Sequence, residues 1–160
     1  MIYNSIITFL DLKHLAFWRI FMDLNAFKKY FNQKDAFSVH NGVSLTVLKE
    51  GYAEAEMAVA PNTKNLLGTM HGGAYYTLAD VAAGSAMIPY GKACVTLEAD
   101  IHYMRPAGAG RVVAKAQVLQ HGGRIGVVRV EVEGEGGETL CVCTVTMYLT
   151  SKPIGDIPAE

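Results

Sequence analysis

Apolar and polar positions divide the chain into stretches of two kinds. Most of it beyond residue 93 has the pattern of strands separated by turns. Strands are expected over 94–104, 111–120, 125–133 and 139–150. Arg105-Pro106 stops the first, because the residue before a proline turns away from regular pairing and the proline lacks an N–H. His121-Gly122-Gly123-Arg124 makes a hairpin turn between the second and third, and Gly134–Gly137 a turn before the fourth. Upstream, 37–49 and 52–60 read as two more strands around Glu50-Gly51, the second alternating only loosely. Two stretches read as helix. Residues 23–31 suit a short one. Residues 72–88 have the length and the Ala, Leu and Met content of a long one, ended by Pro89 and Gly91. Pro61 to Met70 is a loop, and 151–160 with its two prolines is a loose tail. The order is strand, strand, long helix, four strands. Hairpin connections make the sheet antiparallel, and the one long helix must cover a face of it, an α+β arrangement.

Composition narrows the class. The chain has 160 residues, 51% hydrophobic and 18% charged, enough apolar surface for one folded domain rather than a disordered segment. The net charge of -1, with no basic stripe, argues against nucleic acid as a partner. The domain is expected over 22–150, with 1–21 as an N-terminal extension. Residues 5–24 are apolar-rich but broken by Asp11, Lys13, His14, Arg19 and Asp23, so they form neither a membrane span nor a signal peptide. They read as an accessory helix or a translated leader ahead of a start at Met22, with contact at a membrane surface the alternative. Cys141 and Cys143 point the same way along one strand and Cys94 stands alone, a spacing that matches neither a redox pair nor a zinc site. Core thiols in a reducing, cytoplasmic setting are the expectation.

The long helix carries the candidate chemistry. Between Gly72 and Tyr90 the only ionisable group besides tyrosines is Asp80, set among Leu78, Ala79, Val81, Ala82 and Ala83. A helix apolar all round is buried, and a lone carboxylate on it is costly unless paired, hydrated or put to use. It is either a satisfied buried acid or a functional one. His71-Gly72-Gly73 opens the same helix. Free N–H groups and the positive end of the helix dipole lie there, and glycine lets a ligand oxygen approach the backbone. That is the chemistry of an oxyanion hole, although glycine at a helix start is also common for structural reasons. Gly72 and Asp80 are eight residues apart, roughly 12 Å along a helix. If both act on one carbonyl, they come from two chains, which implies a two-fold dimer with sites across its interface.

The run NLLGTMHGGAYYTLAD, Asn65-x6-Gly72-Gly73-x6-Asp80, resembles the signature of hotdog-fold acyl-CoA thioesterases of the PaaI-like, phenylacetate-pathway type. VTLEADIHYMRPA (95–107) is similar to the strand after the helix in that family, and His121–Arg124 to its next hairpin. The resemblance covers about 37–150. It implies a six-stranded antiparallel sheet wrapped around the helix, a dimer paired again into a tetramer, and hydrolysis of an acyl-CoA thioester without metal or organic cofactor, coenzyme A being part of the substrate. It further implies Asp80 as general base or nucleophile and the Gly72 N–H as oxyanion donor. Asn65 would hold the carbonyl or the water, and Thr96 would position the water. His71, Gly73 and Tyr76 would line the substrate, His71 alternatively bonding only to backbone. Arg105, Arg124 and Lys92 are candidates for the nucleotide end of coenzyme A, or ordinary solvated charges. Tyr75, Tyr76 and Met87 are candidates for the acyl pocket, or for core. Two rivals stay open: a hotdog hydratase or dehydratase using a His/acid pair, and a non-catalytic acyl-CoA sensor.

Overall fold

The computed structural model describes residues 23–154; the expected extension 1–21 and the last six residues lie outside the described residues. Helix α1 (Leu24–Lys34) starts at Asp23, whose carboxylate accepts from the N–H groups of Asn25 and Ala26. A second short helix, α2 (Ala36–His40), follows at once, capped by Asp35 through the Ser38 N–H. Strand β1 (Ser44–Lys49) therefore begins seven residues later than 37, the start expected from the sequence. Phe37 and Val39, whose spacing suggested a strand, are exposed on α2. The Asp35 cap stabilises a helical turn there, and Gly42 at φ +72° redirects the chain into β1.

Strand β2 (Tyr52–Ala58), a 3-10 turn at Pro61–Thr63 and the long helix α3 (Gly72–Met87) come next. After a 3-10 turn (Ile88–Tyr90) come β3 (Lys92–Tyr103), β4 (Arg111–His121), β5 (Ile125–Glu133) and β6 (Thr139–Pro153). The order across the sheet is β1-β2-β4-β5-β6-β3, and every neighbouring pair is antiparallel. β6 runs three residues past the expected end at 150. Pro153 pairs with Lys92, and Ile154 is buried with its N–H on the Gly91 carbonyl. A proline is tolerated there because it sits at the last position of the ladder.

Helix α3 lies on one face of the sheet. Leu78, Ala79, Ala82, Ala83 and Ala86 are fully buried beneath it. Ala53, Ala55, Ala114 and Ala116 face it from β2 and β4. Small residues on both sides let helix and sheet approach closely, and Val128, Val130 and Val145 fill the space farther along. Gly126 on β5 has the same purpose. A Cβ there would collide with the end of the Met87 side chain, which is wholly buried against it. The core alternates inward positions strand by strand, which is why the sheet was legible in the sequence.

The two edges of the sheet differ. At β1, Asn32 of α1 acts as a surrogate strand. Its carboxamide accepts from the Leu45 N–H at 2.8 Å and donates to the Leu45 carbonyl at 2.9 Å. Lys28 adds a bond to the Thr46 carbonyl. At β3 nothing among the described residues covers the edge, and Val95 and Leu97 are 52% and 57% exposed. Asn32→Ala is expected to lower stability by about 1–3 kcal/mol, since it leaves the N–H and carbonyl of the buried Leu45 without partners; urea unfolding measures it.

Candidate active site

The His71 backbone enters α3 in extended conformation, and its imidazole Nδ1 accepts from the Gly73 N–H at 2.9 Å. Nδ1 is thus an acceptor, which leaves Nε2 to carry the ring proton. Gly73 is glycine for a local reason: a Cβ there would stand 3.1 Å from that Nδ1. The bond also separates the two glycines. The Gly73 N–H is occupied by His71, whereas the Gly72 N–H has no hydrogen-bond partner among the described residues. Gly72, the expected donor, is thus the one left open at the positive end of the helix.

Asp80 follows two turns later, half-buried, on a helix that runs unbroken from Gly72 to Met87. The Thr96 hydroxyl of β3 donates to its Oδ1 at 2.6 Å. No ion pair joins Asp80 to a cation among the described residues. Tyr76 precedes Asp80 by one turn and lies on the same side of α3. Burial and the Asp80 charge both raise its pKa, so the phenol stays protonated. Cys94 hydrogen-bonds weakly to the Gly84 carbonyl. Burial first, then Asp80, pushes its thiol up to about 11. Burial also raises Cys141 to about 12 and Cys143 to about 11, which makes both inert core thiols.

The loop before α3 is closed by Asn65. Its Oδ1 accepts from the N–H groups of Leu67 and Thr69, and its Nδ2 donates to Thr69 Oγ1. The Asn65 N–H itself bonds to the Thr69 carbonyl. The carboxamide thus shapes the loop, with one Nδ2 proton left over. Thr96 is bonded to the candidate base.

The other sequence candidates separate. Tyr75 is buried, its hydroxyl accepting from the Ala107 N–H at 2.9 Å, so it and Met87 are core. Arg105 is exposed and donates to the Thr139 carbonyl just beyond the end of β3. Arg124 lies in the β4–β5 turn, where its guanidinium is 3.5 Å from the Tyr148 hydroxyl. Tyr148 pairs with Val95, so Arg124 and Lys92 lie toward the start of β3 and Arg105 lies past its other end. One chain does not gather the three cations. Among the described residues no group of three or more His, Cys, Asp or Glu could hold a metal ion, and no helix is long and apolar enough to cross a membrane.

One residue escaped the sequence reading. The Tyr103 hydroxyl, at the end of β3, donates to the Gly72 carbonyl at 3.1 Å. Its only signal was an aromatic residue two places before Arg105-Pro106.

The chain matches the family model described as Thioesterase superfamily over residues 67–141, which includes α3 and all of β3 to β5. It is 32% identical to the acyl-coenzyme A thioesterase PaaI of Escherichia coli K12 over 74% of this chain and 84% of that protein. The solved structure of the E. coli PaaI protein superposes with a TM-score of 0.74 at 27% identity, covering 78% of this chain and 91% of that one. A Streptococcus mutans protein solved bound to acetyl CoA superposes with a TM-score of 0.66 at 25% identity, covering 69% and 90%. The six-stranded antiparallel sheet, the helix on its face, the motif at the helix start and these likenesses agree: the chain belongs to the thioesterase superfamily, as a hotdog-fold thioesterase of the PaaI-like kind.

Proposed function

We propose that the protein hydrolyses an acyl-CoA thioester to a free carboxylic acid and coenzyme A, with Asp80 as the proton acceptor or nucleophile and the Gly72 N–H as oxyanion donor. The observation that carries this reading is the pairing of a lone carboxylate, held by Thr96, with a free amide at the start of the same helix. In the general-base form, water attacks the thioester carbon and its proton passes to Asp80. The carbonyl oxygen takes up negative charge against the Gly72 N–H. The C–S bond then breaks, and the thiolate leaves and takes up a proton. In the nucleophilic form, the Asp80 carboxylate attacks first, expelling the thiolate and giving an anhydride that water cleaves.

The same reading requires a dimer. Eight residues of unbroken helix separate Gly72 from Asp80 by roughly 12 Å, and a carbonyl oxygen must lie within about 3 Å of its donor. With α1 closing the β1 edge, the open β3 edge with Val95 and Leu97 is the surface for a second copy. An antiparallel partner there sets the Gly72 end of one helix beside the Asp80 region of the other. It likewise draws Arg105 of one chain toward Arg124 and Lys92 of the other, a cationic rim for coenzyme A. Further pairing of dimers gives the tetramer. The protein relates to no nucleic acid and no membrane in this reading, and three thiols without a disulfide suit the cytoplasm.

A hydratase reading is weaker, because His71 Nδ1 is occupied by the Gly73 N–H and is not free to act as a base. Thiol release over a panel of aryl-acetyl, benzoyl-type and medium-chain acyl-CoAs tests the proposal. Saturable release supports it, enoyl turnover would replace it with hydration, and tight binding with neither would make the protein a sensor.

Thr96→Val and Asn65→Ala are each expected to cost roughly 1–2 kcal/mol in kcat/KM, less than loss of the Asp80 charge, because both residues orient rather than transfer protons. Steady-state kinetics on the two variants, with melting curves beside them, measures this. A loss as large as that of Asp80→Asn in a folded variant would reassign the roles.

A further inference from the structure

We infer that Tyr103 is a positioning residue for the oxyanion donor, holding the Gly72–Gly73 peptide in place through its hydroxyl; this rests on the proposed role of the Gly72 N–H. The problem it answers is set by the sequence. Two successive glycines open α3, and glycine leaves the backbone its widest freedom just after His71, whose N–H and carbonyl are held by Thr63 and by the Ala74 N–H. An oxyanion donor works only when its N–H is aimed beforehand, and misplacement by about 1 Å costs on the order of 100-fold.

The peptide plane between Gly72 and Gly73 is held at both ends. Its oxygen accepts from the Tyr103 hydroxyl at 3.1 Å, and its N–H donates to His71 Nδ1 at 2.9 Å. The result is one hydrogen-bonded chain from Tyr103 through the peptide to the imidazole, in which each bond polarises the next. Pinning that plane fixes rotation about the Gly72 Cα–C bond; the donor N–H lies in the adjoining His71–Gly72 peptide, whose oxygen accepts from the Ala74 N–H at 2.9 Å, so both planes that meet at the Gly72 Cα are held. The one group of Gly72 left unbonded is its own N–H, on the other side of the same Cα. The Tyr103 ring also backs the glycine: a Cβ at residue 72 would stand 3.4 Å from the ring carbon Cζ.

Tyr103 keeps about half of its surface exposed and is held on its inner side. Its ring meets Tyr75 edge to face, centroids 6.1 Å apart at 62°. Tyr75 is buried and anchored by the Ala107 N–H. Burial raises the Tyr103 pKa, so the hydroxyl keeps the proton that it donates. The end of β3 and the first turn of α3 are thereby joined at the atoms next to the oxyanion donor, through a contact that spans 31 residues of sequence.

The test is Tyr103→Phe, which keeps the ring and removes only the hydroxyl. Two quantities are read. One is kcat with KM and Tm. The other is the infrared C=O stretch of a bound ketone analogue, with methylene in place of sulfur, of the acyl-CoA that the protein turns over fastest. The wild type is expected to shift that stretch to lower frequency on binding. Tyr103→Phe is expected to lose about half or more of the shift and roughly 5- to 20-fold in kcat, with KM within about twofold and Tm nearly unchanged. A Tyr103→Phe protein with the full wild-type shift overturns the inference and leaves the Gly72 reading standing, whether its kcat is unchanged or falls together with Tm. Absence of any shift in the wild type overturns the Gly72 reading and this inference with it. Tyr75→Phe, which retains the Tyr103 hydroxyl, is the second variant. If Tyr103→Phe fails to fold, Tyr75→Phe is read with its crystal structure: a full wild-type shift in a protein whose Tyr103 hydroxyl has moved off the Gly72 carbonyl would sink the positioning role, and a reduced shift accompanying that displacement would support it.

Discussion

Asp80→Asn is expected to remove turnover while leaving the fold and acyl-CoA binding in place. The carboxylate sits on a helix whose neighbours Leu78, Ala79, Ala82 and Ala83 are fully buried, with the Thr96 hydroxyl 2.6 Å from Oδ1. Asparagine has nearly the same shape, and its amide oxygen can still accept from Thr96. It carries no charge that needs hydration, so thermal stability should hold or rise. What the amide cannot do is take a proton from water or attack as an anion. A fall of about 100-fold or more in kcat follows, which corresponds to about 2.7 kcal/mol of lost transition-state stabilisation. Thiol release measures kcat, and calorimetry with a non-hydrolysable analogue measures binding. A folded Asp80→Asn protein with near-normal kcat would remove Asp80 from the mechanism.

Periodicity and composition carried the architecture far but stopped at long-range contacts. Helix α3 was legible from its length, its Ala, Leu and Met content and its stop at Pro89 and Gly91, and its burial from apolar residues that go all the way round. β5 matched its expected range of 125–133 because the alternation there follows the one-sided burial of the sheet. The region 37–43 was misread for a physical reason. Phe37 and Val39 alternate as strand residues do, while the deciding interaction is the Asp35 carboxylate on the Ser38 N–H. β6 was cut short because Lys152-Pro153 looks like a strand stop, although at a ladder end opposite Lys92 a proline needs no partner.

The site divided along the same line. Asp80 stood out as one carboxylate in an apolar helix, which needs no tertiary information. The family resemblance assigned the donor role to Gly72 and not Gly73, without a physical reason for the choice. What separates them is the side-chain conformation of His71, whose ring takes one amide and leaves the other. The Thr96 bond to Asp80 spans 16 residues and the Tyr103 bond to Gly72 spans 31. Such contacts depend on how β3 registers against α3, and no local pattern encodes that register. Asn65 shows the converse: its place in the motif suggested contact with substrate, while its carboxamide is mostly engaged with Leu67 and Thr69 of its own loop.

Mixing two inactive variants should restore activity if each site draws on two chains. Asp80→Asn removes the proton acceptor. Gly72→Val crowds the oxyanion position. A Cβ at residue 72 would be in ordinary contact with the Tyr103 ring at 3.4 Å, so the two further methyl groups of valine must shift that ring or take the space of the carbonyl oxygen, and either disturbs the donor. Each homodimer carries one defect in both of its sites and stays inactive. In a hybrid dimer, one site combines Asp80 and Gly72 from the two unaltered positions, and the other collects both defects. Random association of equal amounts makes about half of the dimers hybrid, each with one intact site of two, so about a quarter of wild-type activity returns. Co-expression with two different affinity tags isolates the hybrids, and mass measurement verifies them. Purified hybrids should reach about half of wild-type activity per dimer. Verified hybrids without activity would mean that both groups act within one chain, against the roughly 12 Å that an unbroken helix puts between them.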